Sequence, residues 1–336
     1  MRIALLFPGF GAWYPAAFSR CAEARDLAGP VVAEVDAVTA EYRLPSVRDA
    51  LLAEPGGTAG IGERGCRDTR ALEILAGQVV CHRLLRRRLG QELDTVLCGH
   101  SLGEYAALVA AEGLTVRDAA RLLCERVTAV RSGAVPPGRM LAVPLGRHQA
   151  RRLLAGERDV VIAAVNAPDQ VVLSGPAEAV DRVRQAALAM GVEAVRLRVD
   201  PCPHHHPLLT AARRRCAEAS RPVPARPLGH PVYGPVLGRR YLPCDDLAET
   251  LALQMVLPVH FAQAVRDMYQ DGARVFVECG LKRTLSGLVE ASAPGARTIA
   301  PFHTRITGER LREASAAIRE AVSTAGGPAC PLTVTS

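Results

Sequence analysis

A chain of 336 residues is long for one simple domain and short for three, so one large domain with a smaller companion is expected. Its 49% hydrophobic content supports a sizeable core, which the 4% aromatic content leaves mostly to Ala, Val and Leu. The net charge of +7 rests almost wholly on arginine, with Lys282 the sole lysine. A basic surface favours an acidic partner. Nucleic acid is disfavoured, because the arginines are dispersed and lack interleaved aromatics. Arg86-Arg87-Arg88 and Arg213-Arg214-Arg215 are expected to be solvated helix faces. The ten cysteines contain no Cys-x-x-Cys pair, which points to free, mostly buried thiols of a cytoplasmic protein. No apolar run approaches the roughly 20 residues of a membrane span.

In chain order, Ile3–Phe7 reads as a buried first strand ending in the Gly-rich turn Pro8-Gly9-Phe10-Gly11. Open α/β sheets place their sites at that end of a strand. Residues 30–54 and 70–90 show helical spacing of apolar positions, with a loop over 54–65 between them. Leu93–Cys98 is strand-favouring, Glu104–Glu112 is rich in Ala, Leu and Glu, and a second helix runs from Val116 to about Val130. Between the Leu93–Cys98 strand and the next helix lies Gly99-His100-Ser101-Leu102-Gly103. A strand turning sharply into a helix through small residues lifts a serine Oγ off the backbone and aims the next N–H groups at the atom under attack. Ser101 is the candidate nucleophile.

Pro136-Pro137-Gly138 marks a break, and residues 135–200 have their own rhythm. Strands at Met140–Leu145, Val160–Val165, Gln170–Ser174 and Glu193–Val199 and helices at His148–Gly156 and Ala177–Met190 give the order βαββαβ, a ferredoxin-like pattern. The chain then returns to α/β character with a short strand at Pro231–Val236, a strand at Val275–Glu278 and a helix at Thr284–Ala291. The expected division is a catalytic α/β domain over 1–134 and 201–325, an inserted small domain over 135–200 and a disordered tail over 326–336.

A serine nucleophile needs a base. His82, His148 and His303 lie in polar or surface-like settings, whereas His204-His205-His206 stands in the junction loop, able to face the elbow across an interdomain cleft. Adjacent side chains cannot converge on one ion, so no metal site is expected there.

These motifs resemble, over about residues 1–320, the malonyl-CoA:acyl-carrier-protein transacylases and the acyltransferase domains of polyketide synthases. Phe7-Pro8-Gly9-Phe10-Gly11 resembles the family's opening Phe-Pro-Gly-Gln-Gly, and residues 99–105 match its elbow. Arg126 falls where the family places the arginine that grips the malonyl carboxylate. Asn166 through Gly175, Pro203 through Leu208, Gln254 with Pro258-Val259, and Phe276 through Gly280 resemble later family motifs in order.

The resemblance implies an α/β-hydrolase-like large domain with a parallel sheet and a ferredoxin-like insertion. It also implies ping-pong transfer through a Ser101 ester from an acyl-CoA or acyl carrier to the phosphopantetheine thiol of an acyl carrier protein. No cofactor of the chain's own is implied. Aligning on Pro207-Leu208 makes His205 the base; aligning on Val199-Asp200 makes it His204. In the family the base is oriented by backbone carbonyls, so Asp200 takes a structural part, and His100 packs beneath the elbow. The oxyanion is implied to rest on the N–H groups of Leu102 and Trp13, with Arg126, Gln254 and Phe10 around the acyl group.

Phe10 and Trp13 stand where the family usually has glutamines, Pro235 replaces an asparagine and Leu281 a proline. A carrier-to-carrier transfer of an unusual group such as an aminoacyl unit, and an editing acyl hydrolase, are the alternatives on this scaffold. A monomer is expected, since the family's site lies within one chain.

Overall fold

The computed structural model describes residues 2–53, 66–90, 93–133, 135–303 and 306–325. The expected loop over 54–65 and the tail from 326 lie outside the described residues.

The first strand, β1 (Arg2–Phe7), is a nearly unbroken apolar run with its last five residues buried, as a strand covered on both faces requires. The chain continues through α1 (Ala22–Glu41), α2 (Arg48–Leu52), α3 (Cys66–Leu89), β2 (Thr95–Gly99), α4 (Gly103–Ala110) and α5 (Val116–Arg131). The next group is β3 (Gly138–Val143), α6 (Arg147–Leu153), β4 (Val161–Ala167), β5 (Gln170–Pro176), α7 (Ala177–Ala189) and β6 (Val195–Arg196). After it come α8 (Thr210–Ser220), β7 (Val232–Gly234), β8 (Arg239–Arg240), α9 (Leu247–Leu253) and α10 (Phe261–Gln270). The last elements are β9 (Ala273–Glu278), α11 (Ser286–Ser292), β10 (Arg297–Ile299) and α12 (Gly308–Ala325).

The large sheet has the order β10-β9-β1-β2-β7-β8. Its strands are parallel except for the antiparallel β7–β8 pair at one edge. The central strand β1 has β2 on one side and β9 on the other, so chain direction across the sheet reverses there, and the carboxyl end of β1 opens onto a crevice. The small sheet, β4-β5-β3-β6, is antiparallel throughout, with the strand order of a ferredoxin-like unit. The fold is thus an α/β-hydrolase-like large domain carrying a ferredoxin-like one.

The two lobes share packing. Met140, Ala163, Ala164 and Val172 of the small sheet join Leu6, Cys98, Phe261 and Phe276 in one apolar cluster. Val165 N–H donates to Val259 O (2.8 Å) and Val259 N–H to Ala163 O (2.9 Å), which stitches β4 to the segment before α10. Entry to and exit from the insertion touch: Gly138 N–H donates to Pro201 O at 3.0 Å, and a Cβ at Gly138 would lie 2.4 Å from the Pro203 ring.

Three expectations need correction. Residues 30–54 are not one helix. The first helix starts at Ala22, and it ends at Glu41 before a turn in which Arg43 has φ +54° and Asp36 accepts from Ser46 Oγ and Val47 N–H. The last strand of the small sheet is only Val195–Arg196, followed by one bond from Leu197 N–H to Met140 O. His82 is half-buried rather than surface-like: its ring lies 6.0 Å from that of Phe7, and burial, then the neighbouring Arg86, His230 and Arg83, push its pKa down to about 3. The arginine runs serve as intramolecular ties, Arg88 to Glu23 and Arg213 to Glu249. The eight cysteines whose surroundings are described are free, seven of them buried. Among the described residues no helix is long and apolar enough to cross a membrane.

Packing of α4 against β1 explains the glycines of the elbow. A Cβ on Gly103 would lie 1.9 Å from Phe7 O, and one on Gly99 would lie 2.2 Å from Glu104 N. Such overlap forces the helix start away from the sheet. Gly103→Ala is expected to destabilise the protein by about 3 kcal/mol, read as an earlier urea midpoint; an unchanged midpoint would show that α4 can shift without loss.

Candidate active site

Ser101 follows β2 and precedes α4, with φ at +53°, a backbone conformation that L-residues rarely adopt. The close approach of α4 to β1 and β2 holds it there, so strain at the elbow is sustained by the packing around it. The side chain is 9% exposed. Its Oγ lies 2.7 Å from His205 Nε2, and His205 Nδ1 lies 2.9 Å from Leu257 O. A carbonyl only accepts, so Nδ1 carries the hydrogen and Nε2 is left to accept the Ser101 proton. Burial, then the Arg126 charge, pushes the His205 pKa down to about 3. The ring is therefore neutral at neutral pH.

The three neighbouring histidines point apart. His204 Nε2 lies 2.6 Å from Asp200 Oδ1, and its ring stacks on Phe10 with centroids 5.4 Å apart. His206 accepts the Leu208 N–H at Nδ1 (3.1 Å), and its Nε2–H donates to Asp159 O of the small lobe (3.1 Å). The structure thus brings His205, and not His204, to Ser101. His205 itself has φ +57°, which turns its ring away from its neighbours' directions. Beneath the elbow, His100 Nε2 meets Asn166 Oδ1 at 2.8 Å, and the His100 ring meets Phe261 edge-on. That contact fastens the small lobe to the floor of the site.

Arg126 projects from α5 and is 5% exposed. Its Nη1–H donates to Gln254 Oε1 and its Nη2–H to His204 Nδ1, both at 3.4 Å. Gln254 also approaches the fully buried Glu104, whose Oε2 accepts the Tyr241 hydroxyl at 2.6 Å. Burial pushes the Glu104 carboxyl up to about 7 against those hydrogen bonds. The preceding Glu125 accepts from Tyr42 of the turn after α1. A buried guanidinium with two long hydrogen bonds suits exchange onto a carboxylate, which would give it two short parallel ones.

In the loop after β1, Gly9 lies against the elbow: a Cβ there would lie 3.0 Å from His100 O and 3.6 Å from Ser101 Cβ. Ala12 N–H closes a turn onto Gly9 O, and Trp13 follows it with its indole under the Arg70 guanidinium at 3.4 Å. Leu102, at the start of α4, is 2% exposed. Asp200, Cys202 and His204 place potential ligand atoms within 4.8 Å of one another. The adjoining Arg126 charge and the His204–Asp200 bond oppose a cation there.

Sequence reasoning did not reach the Leu257 carbonyl or the Glu104–Tyr241–Gln254 contacts. A backbone acceptor leaves no mark on composition. Glu104 did stand in the elbow motif, where a carboxyl inside an apolar helix start was an available signal.

The chain belongs to the acyl transferase domain family, whose profile matches residues 31–301. It is 32% identical over 311 residues, 89% of its length, to polyketide synthase GfsB of Streptomyces halstedii. It spans only 5% of that large protein. It is 30% identical over 224 residues, 65% of its length and 71% of the relative's, to the malonyl CoA-acyl carrier protein transacylase of Haemophilus influenzae. Among solved structures, a loading acyltransferase from the avermectin modular polyketide synthase superposes with a TM-score of 0.83 at 26% identity, covering 94% of this chain and 99% of that one.

Proposed function

We propose that the chain transfers a carboxylate-terminated acyl group, malonyl or a close relative, from a CoA or carrier thioester to the phosphopantetheine thiol of an acyl carrier protein in polyketide assembly. The observation that carries this reading is the Ser101–His205 contact at 2.7 Å beside a buried Arg126 guanidinium bonded to His204, the residue next to the base. Similarity to malonyl transacylases and to polyketide synthases supports the donor and the setting. Eight unbridged thiols support a cytoplasmic location.

Ser101 Oγ attacks the thioester carbonyl as His205 Nε2 takes its proton. The tetrahedral oxyanion is held by the Leu102 N–H at the start of α4, where the helix dipole adds positive potential. The second donor comes from the loop after β1. The nearness of Gly9 to Ser101 favours the Phe10 N–H over the Trp13 N–H. The C–S bond then breaks, and the thiolate leaves with the proton from His205. A carrier thiol enters by the same steps reversed, so side chains and backbone supply all the chemistry. Arg126, with Gln254 behind it and Phe10 alongside, holds the far end of the acyl group.

The test is intact-protein mass spectrometry after incubation with malonyl-CoA, with Ser101→Ala as blank, followed by addition of a phosphopantetheinylated carrier. The expected result is a malonyl mass increment on Ser101 that the carrier then removes and acquires. An increment lost equally fast to water with no carrier present would favour the editing hydrolase. No increment from any CoA thioester, with one from an acyl carrier, would make the donor a carrier.

A further inference from the structure

His204 does not reach the nucleophile, yet it is 5% exposed and bonded at both ring nitrogens. The backbone curls tightly ahead of it, with Cys202 N–H donating to Asp200 O at 2.7 Å and His204 N–H to Cys202 O at 2.9 Å. This curl folds the Asp200 carboxylate back under its own neighbour, four residues on. Burial alone would raise the Asp200 pKa, but the hydrogen bond from His204 and the nearby Arg126 charge hold it below the usual value, so the carboxylate is ionised. An ionised carboxylate only accepts, and a guanidinium only donates. The one imidazole tautomer that satisfies both carries hydrogen on Nε2 and a lone pair on Nδ1. Phe10, stacked at 27° on the ring, fixes its plane.

We infer that His204 is a positioning residue for Arg126: Asp200 fixes its tautomer, Phe10 fixes its plane, and its Nδ1 lone pair aims the guanidinium at the terminal carboxylate of the acyl group. Without that acceptor the guanidinium keeps the long bond to Gln254 and its contact with the Tyr105 hydroxyl, and can turn out of register with a carboxylate. The inference rests on the proposed carboxylate-terminated substrate and adds to it the residues that orient its recognition. It also gives His204 a joint purpose with Phe10, a position where the sequence departs from the family pattern.

The experiment measures kcat and KM for Ser101 acylation with malonyl-CoA and with acetyl-CoA. His204→Phe keeps a stacking ring and removes the acceptor. It is expected to raise the malonyl-CoA KM, and to cut the malonyl over acetyl preference, by about 10–100-fold, as losing a hydrogen bond to a charged group does. His204→Asn, with an acceptor near the place of Nδ1, is expected to recover most of that loss. Asp200→Asn can donate to Nε2 and so reverse the tautomer, turning Nδ1–H against Arg126; it should resemble His204→Phe. The double variant should be no worse than His204→Phe alone, the signature of two residues acting through one contact.

Wild-type preference and KM in His204→Phe or in Asp200→Asn would overturn the inference. So would losses in His204→Asn equal to those in His204→Phe, which would mark a role in packing only. Arg126→Ala separates the two levels of failure. If it loses malonyl preference while His204→Phe keeps it, the functional reading stands and the inference falls. If it keeps malonyl preference, both fall.

Discussion

His205→Ala is expected to slow acylation of Ser101 by about 10²–10⁴-fold, the range for removing a positioned general base. The variant takes away the ring that meets the Ser101 hydroxyl and leaves the elbow, Arg126 and the oxyanion donors in place. The loss should therefore fall on kcat, with KM for the acyl donor little altered. Rapid quench followed by intact-mass measurement reads it directly; a rate within about tenfold of wild type would remove His205 from the role. The pH dependence follows from the same burial. The base must be neutral, and its pKa lies at about 3 in the folded protein against 6.5 for a free imidazole. Lowering the pH from 7 to 5 should leave the acylation step nearly unchanged. The profile is best measured in Glu104→Gln as well, because that buried carboxyl is pushed up to about 7 and would titrate in the same window. A limb near pH 6.5 that persists in Glu104→Gln would contradict the assignment. The linkage works in the same direction: on unfolding, His82 and His205 take up protons below about 6.5. The stability that depends on their neutrality is complete above that value and lost progressively as pH falls toward 3.

Arg126→Ala should cost malonyl-CoA about 2–5 kcal/mol of binding, or about 30–4,000-fold in kcat/KM. A substrate carboxylate that loses its buried guanidinium is left desolvated and unpaired, which is why the loss exceeds the net worth of an ordinary hydrogen bond. Ground state and transition state both carry the carboxylate, so the change is expected mainly in KM. Acetyl-CoA has no such group, and the variant should accept it at least as well as wild type does. The check is a competition between the two thioesters for Ser101, read as the ratio of malonyl to acetyl enzyme. Full malonyl loading by the variant would mean that the acyl group does not end in a carboxylate held here.

Much of this was legible locally. The elbow could be found because its requirement is steric and short-range: Gly99 and Gly103 must lack a Cβ where α4 meets β1 and β2. The βαββαβ order of the insertion was legible from strand and helix periodicity. The choice between His204 and His205 was not. Two i→i+2 bonds between Asp200 and His204, then the left-handed turn at His205, give a path whose length differs according to whether it is counted from Asp200 or from Pro207. The boundaries of α1 were hidden by Pro30, which reads as a helix start but lies inside the helix. A proline there forgoes one backbone bond; the buried face of Ala24, Ala28, Val31, Val35 and Val38 outweighs it. The shortness of β6 was hidden too, because an edge strand can bear apolar residues such as Val195 and Leu197 that stay exposed.

The contact between Gly138 and Pro201-Pro203, with His206 bonded to Asp159, bears on how chimaeras of this chain can be cut. The segment delivering His205 is the return leg of the insertion, so its register is set jointly by both ends of the smaller lobe. A graft exchanged at residues 135 and 200 would import foreign neighbours for Pro203 and His206 and displace the imidazole from the hydroxyl. A graft spanning 137–209 would carry the whole hinge and its base as one cassette, leaving Ser101 and Arg126 on the recipient scaffold.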